Sequence, residues 1–347
     1  MATEDNQFTV NQVIVYHDET KNVPGRNFKG HVLLFVPVKL TAISQTPLFG
    51  TSVAEYSSQQ MLFDAVESAR QKYQCDGKLH FSQLSGRTWK KYDYAYYEAV
   101  SSAVDALRHK FQKKFPYPLR CKVAAMFYPK GADWKIYGEH PRKEQKLRHD
   151  ETLLRMLLKG AAHYLYDERN LIEIKGIIAD GESAHRHLDA GRVMWRLSYE
   201  SNYGRSPLRD YVSFSPMASI THLPSDHKSY GRDSEEYRHA TLLQVSDLLL
   251  GTIMRACYIG ITKVSSLPRI GDTCNKRDVV CWPTREMLTK KERGAGFRNS
   301  GHYRSFTLTE VEFSRDGVHF REVTPREFVI QDEESLQLSL FEDDVGA

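Results

Sequence analysis

Residues 11–20 read NQVIVYHDET. The β-branched run Val13-Ile14-Val15, followed by Tyr16, predicts a strand. That strand runs directly into two neighbouring acids, Asp18 and Glu19. Side chains alternate across a strand, so Ile14, Tyr16 and Asp18 share one face and Glu19 takes the other. An apolar strand face that ends in a carboxylate raises the question of what that carboxylate is for.

The surrounding sequence predicts a domain of α/β class. GHVLLFVPVKL at 30–40 reads as a second strand, joined to the first through the turn-rich KNVPGRNFK as an opening hairpin. A helix is expected from about Ser52 to Tyr73, then a short extended piece, KLHFSQL. A long helix is expected from Trp89 to Phe115, with Tyr92, Tyr96, Val100, Ala103 and Leu107 on a core stripe. PYPLRCKVAAMFYP reads as a strand, Arg142 to Tyr166 as a helix, and LIEIKGIIAD at 171–180 as a strand. A helix from about Ala184 to Tyr199, strands in YVSFSPMASITHL and a helix from Glu235 to about Cys257 complete the body. The hairpin FTLTEVEFSRDGVHFREV is expected to turn at Asp316-Gly317. A mixed sheet flanked by helices is therefore expected over 1–260, a basic extension with this hairpin over 261–330, and an acidic tail without a core of its own over 331–347.

Two further acids sit in apolar surroundings. Asp180 ends LIEIKGIIAD, and Asp247 lies inside LLQVSDLLLG, where helical spacing aligns Ala240, Gln244, Asp247 and Gly251 on one narrow, small and polar face. A buried carboxylate without a counter-charge costs roughly several kcal/mol, so it must protonate, pair with a base or bind a cation. Three carboxylates on rigid elements are what a Mg²⁺ or Mn²⁺ site uses. Two such ions about 4 Å apart serve phosphodiester hydrolysis. Asp18, Asp180 and Asp247 are the candidate metal ligands and catalytic acids, with Glu19 a lesser catalytic candidate.

The net charge of +4 is uneven. Between Arg87 and Lys122, nine Lys/Arg face three acids, and between Ile261 and Phe306 ten face four. From Thr307 onward eleven acids stand against three Arg. A basic body with an acidic tail accompanies nucleic-acid partners, and Lys110, Lys113 and Lys114 are the expected phosphate contacts. The five cysteines are scattered with no CxxC pair, which argues against a zinc site or disulfide framework. The HRH at 185–187 lacks HExxH spacing, and no Walker loop, dinucleotide fingerprint or nucleophile elbow is present. The polar, acidic start MATEDNQFTV is unlike a secretory signal and no run of 18 apolar residues occurs, so a cytoplasmic protein is expected.

YHDET, KLHF, IIAD and LLQVSDLLLG together resemble the domain-of-unknown-function 3800 family, over about Val13 to Gly251. The most specific part is Gln244 to Leu248. The resemblance implies a ribonuclease H-like fold and a metal-dependent phosphodiesterase associated with mobile elements or phage defence. Gln244 belongs to that most specific part and is a supporting candidate. Lys78, and His80 as a proton shuttle, are supporting candidates from the KLHF segment, and Glu182 follows Asp180 as a further supporting acid or a cap of the Ala184 helix. The chain departs from the family pattern at Thr20, where Ser or Gly is commoner, and at Lys78-Leu79-His80, where Glu-x-Lys is usual. A fourth carboxylate is therefore open among Asp76, Glu144, Glu151 and Glu182.

The tail carries Gln337-Leu338-Ser339-Leu340-Phe341 between acids, which looks like the pentapeptide that binds bacterial sliding clamps. Leu340 and Phe341 would be the buried anchors, and Gln337 would supply a directional hydrogen bond. The implied function is a nuclease recruited by the clamp, with DNA favoured over RNA. The competing classes are a non-catalytic nucleic-acid-binding adaptor and a hydrolase of small nucleotide phosphates.

Overall fold

The computed structural model describes residues 9–20, 27–46, 50–108, 114–130, 142–166, 170–180, 193, 212–261, 264, 266–289, 298–299, 303–314 and 317–323. The opening hairpin forms as expected. Strand β1 (Thr9–Thr20) pairs antiparallel with β2 (Phe28–Pro37), placing Asp18 opposite Val32 and Glu19 opposite His31. The acids thus lie within β1, which runs on to Thr20.

The expected helix from Ser52 is shorter. Strands β3 (Leu40–Thr46) and β4 (Gly50–Tyr56) form a separate two-stranded ribbon, and helix α1 spans Ser58–Tyr73. Thr51, Val53 and Tyr56 favour the extended backbone. Ser57 caps the helix by accepting a hydrogen bond from the Gln60 N–H at 3.2 Å. The long helix expected to Phe115 is likewise curtailed. Helix α2 spans Asp93–Ala106, and the returning chain takes its last carbonyl through Cys121 N–H to Ala106 O at 3.1 Å. Trp89 lies before the helix, fully buried, and Tyr92 is exposed rather than part of the core stripe.

The remaining elements are β5 (Lys122–Pro129), α3 (Arg142–Leu165), β6 (Asn170–Asp180), β7 (Val212–Phe214), β8 (Ile220–Leu223), α4 (Glu235–Tyr258) and α5 (Lys276–Thr289). They are followed by the short pair β9 (Arg298–Asn299) and β10 (Tyr303–Arg304), and by β11 (Phe306–Ser314) and β12 (Gly317–Glu322). The helix expected near Ala184–Tyr199 lies outside the described residues except for Val193.

One mixed sheet of eight strands organises the domain, in the order β12-β11-β5-β2-β1-β6-β7, with β8 also paired to β6. β1 and β6 are parallel, β2 is antiparallel to both its neighbours, and β11 is parallel to β5. The β11–β12 hairpin closes on the pair Ser314–Gly317, so its connection is 315–316, one residue earlier than expected. This hairpin extends the main sheet, and α5 packs on α2 and α4, so the chain beyond residue 260 contributes to the same layers.

Period-two alternation divides the core. On one face Tyr16, Val32, Leu34 and Ile178 pack with α1, α2, α4 and α5. On the other Val13, Val15, Leu33, Phe35 and Ile174 pack with α3. Helix α4 is long and apolar enough to cross a membrane by length and composition, but 83% of that window is buried inside the protein. Its Leu242, Leu243, Leu248, Leu249 and Ile253 are core residues, each worth about 1.5–3 kcal/mol on full burial.

Candidate active site

The fold brings Asp18, Asp180 and Asp247 to one place. β1 and β6 run parallel, with one register shift between Val13 and Ile14, and pair as far as His17–Ala179, so Asp18 and Asp180 follow at the same end of adjacent strands. Asp18 shares the face of Tyr16, and Asp180 that of Ile178; both faces lie under α4, which carries Asp247. Burial, then the negative charges of Asp247 and Asp180, hold the Asp18 carboxyl well above the usual carboxylate range. The Glu19 N–H, donated to Asp18 Oδ1 at 2.9 Å, and the nearby Lys78 ammonium oppose this.

The other two acids are held by polar contacts without a full counter-charge. Asp247 Oδ2 accepts the Phe81 N–H at 2.7 Å and lies 3.3 Å from His80 Nδ1. Asp180 Oδ2 accepts the Ser225 hydroxyl at 2.7 Å. Among the described residues no Lys or Arg lies within 4.0 Å ion-pair distance of any of the three. Nor, among those residues, are three or more His, Cys, Asp or Glu drawn into a ready-made metal cage. What the site presents is carboxylate oxygens that raise the proton affinity of Asp18, with only His80 beside Asp247 and the Lys78 charge near Asp18 to offset them.

Gln244 ties the surrounding loops together. Fully buried one turn before Asp247, it accepts hydrogen bonds through Oε1 from Leu79 N–H at 2.7 Å and from the Arg70 guanidinium. Its amide donates to Ser225 O at 2.6 Å and lies 3.1 Å from His227 Nδ1. The segment that touches Asp247 and the segment that touches Asp180 are thus both fastened to one side chain. Burial and the Arg70 charge lower the His227 pKa to about 4, keeping this ring neutral.

Gly251 completes the same helix face. A Cβ built there would meet the Phe81 ring at 2.2 Å, a distance only a shift of the ring or helix could relieve. The glycine therefore lets Phe81 lie against α4, where its N–H reaches Asp247. Gly251→Ala is expected to displace the 79–82 segment from α4 and to destabilise the fold, since overpacking a tight contact costs roughly 1–3 kcal/mol. Thermal melting checks this, and a wild-type melting temperature in the alanine variant would refute it.

Other candidates lie elsewhere. Glu19 faces the opposite side of the sheet, with Oε2 4.0 Å from His31 Nε2. There His31 bridges His17 Nε2 at 2.9 Å and the Tyr128 hydroxyl at 3.0 Å. Glu151 is buried on α3, also behind the sheet, and Asp76 is exposed after α1. The Glu144 side chain, Glu182, Lys110, Lys113 and the tail residues Gln337, Leu338, Leu340 and Phe341 lie outside the described residues. Lys114 follows α2 rather than riding on it, and its ammonium is ion-paired with Glu98 and hydrogen-bonded to Ser102 Oγ at 3.3 Å.

Sequence reasoning alone does not find Ser225, Arg70, Phe81 or His227. The small residue in the Ala240–Gly251 stripe is the one available signal, since a glycine inside an apolar helix marks close approach by another segment. Compared with known proteins, the chain matches no family model, no curated protein and no solved structure.

Proposed function

We propose that this protein is a divalent-metal-dependent phosphodiesterase of ribonuclease H-like type, acting on nucleic acid with DNA favoured over RNA. The observation that carries the reading is the meeting of Asp18, Asp180 and Asp247, from two strands and a helix, with no Lys or Arg among the described residues ion-paired to any of them. Mg²⁺ or Mn²⁺ bound there would supply Lewis acidity and a hydroxide-like water at neutral pH. Asp18, Asp180 and Asp247 would hold the ions through their carboxylates. Ser225 and the Phe81 N–H orient two of these acids, and Gln244 locks both supporting segments. His80, half-exposed beside Asp247, is placed to pass a proton between the site and solvent. Lys78 adds positive charge close enough to act on Asp18 and is the nearby cation for a substrate phosphate.

The test is a gel assay of purified protein with Mn²⁺ or Mg²⁺ against single- and double-stranded DNA and RNA, with mononucleotides in parallel. Metal-dependent cleavage of polymer supports the reading. Binding without cleavage favours an adaptor, and turnover confined to mononucleotides favours a small-phosphate hydrolase.

The tail motif Gln337–Phe341 extends the proposal to a partner, a bacterial sliding clamp, which would bring a cytoplasmic nuclease to replicating or repaired DNA. Phage defence or mobile-element biology is the setting that the resemblance to the domain-of-unknown-function 3800 family implies. A titration of the C-terminal peptide against such a clamp is expected to show binding that Leu340→Ala with Phe341→Ala abolishes. Failure of the native peptide to bind, or binding that survives the double change, would remove the clamp from the proposal.

A further inference from the structure

A site with three carboxylates repels the polyanion it is proposed to cut. Neutralisation must therefore come partly from cations positioned for the substrate rather than for the protein. The first turn of α5 holds three charged residues, and two are already committed. Lys276 Nζ, buried, is 2.8 Å from Asp93 Oδ2, and Asp278 Oδ1 is 2.6 Å from Arg255 Nε.

Arg277, between them, has no carboxylate partner among the described residues. Its Nη2 donates to Ser82 O at 3.3 Å, and its guanidinium carbon lies 5.8 Å from the centre of the Phe81 ring. Its Nε is buried and without a hydrogen-bond partner. Phe81 donates its N–H to Asp247, so Arg277 sits on the turn that touches this one of the three acids. The Nε side of the guanidinium is closed off, so an incoming oxyanion is met by its outer Nη nitrogens, which the contacts to Ser82 and Phe81 hold in place.

We propose that Arg277 is a substrate-binding residue that grips a backbone phosphate of the nucleic acid beside the three carboxylates. This rests on the phosphodiesterase reading and adds to it one named anchor for the strand. The guanidinium engages phosphate, so it fixes the register of the strand without reading its sequence. Removing one cation that neutralises a phosphate lowers the salt dependence of binding by about one released counterion.

The experiment measures fluorescence anisotropy of labelled oligonucleotides, single- and double-stranded, in an Asp247→Asn background that prevents cleavage. Salt is varied from about 50 to about 200 mM. Arg277→Gln is expected to weaken binding about tenfold for every sequence tested, the scale of one charged hydrogen bond, and to make the log–log salt slope shallower by about one. Arg277→Lys is expected to keep the slope and lose affinity severalfold, because a point charge replaces the fork. Unchanged affinity in Arg277→Gln, or weakened binding with an unchanged slope, overturns the inference, the latter assigning Arg277 to holding the Ser82 turn. If Arg277→Gln melts early, the lysine variant decides, and parental affinity there overturns the inference. These outcomes leave the parent reading standing. Absence of any nucleic-acid binding by the parent, or binding without metal-dependent cleavage by the wild-type chain, overturns the phosphodiesterase reading instead.

Discussion

Asp247→Asn is expected to abolish metal-dependent cleavage while leaving the fold intact. Asparagine is nearly isosteric, and its oxygen still accepts the Phe81 N–H that pins the 79–82 segment to α4. What it loses is the charge that a hard cation requires. The drop should exceed the roughly 10–100-fold typical of losing a hydrogen bond behind a ligand, because the ligand itself is removed. The measurement is initial cleavage rate in Mn²⁺, with melting temperature as the control for folding. A variant that cleaves like the wild type would exclude Asp247 from the chemistry.

Asp18→Asn is expected to stabilise the metal-free protein at neutral pH. The Asp18 carboxyl is held above its ordinary value by burial and by its acidic neighbours. Between the unfolded value near 3.9 and the higher folded one, the folded state carries more protons than the unfolded. Stability contributed by that proton is present at low pH and lost as pH rises through the folded value. The wild type should therefore melt progressively earlier, relative to Asp18→Asn, as pH rises across this window. Mg²⁺ or Mn²⁺ should restore the wild type and do less for the variant, since a ligand that binds only the folded state stabilises it. Parallel melting profiles for the two proteins, with and without metal, would show that Asp18 carries no such burden.

Much of the architecture is legible in the sequence because it is local. The alternation through Tyr16 and Asp18, the apolar run before Asp180 and the stripe through Asp247 each follow from a period of two or of about three and a half. Strand β4 escapes such a reading because Val53 and Tyr56 fit a helical stripe as well as a strand. The end of α2 escapes it because the competing partner for its last carbonyl, Cys121, lies in a later segment of the chain. The parallel pairing of β11 with β5 has no local signature, since neither segment specifies its neighbour. At the site the three acids stand out by their apolar surroundings, whereas their supports do not. Gln244 reaches Arg70, Leu79 and Ser225 across gaps in sequence that no local pattern spans. Arg277 looks like any other residue of a basic segment until its neighbours are seen to be paired with Asp93 and Arg255.

The scattering of the three acids along the chain also has a consequence during synthesis. Asp18 emerges early, Asp180 midway and Asp247 late, and Gln244, which fastens the supporting segments, emerges just before the last. Ribosomes add about 5–20 residues per second, so on the order of ten seconds or more separate the first acid from the third. Until α4 has left the ribosome and docked on the sheet, no shorter stretch of the chain holds all three. On the proposed reading a growing, stalled or truncated polypeptide that lacks α4 is harmless to the nucleic acid around it, and cutting power arrives only once that helix is in place.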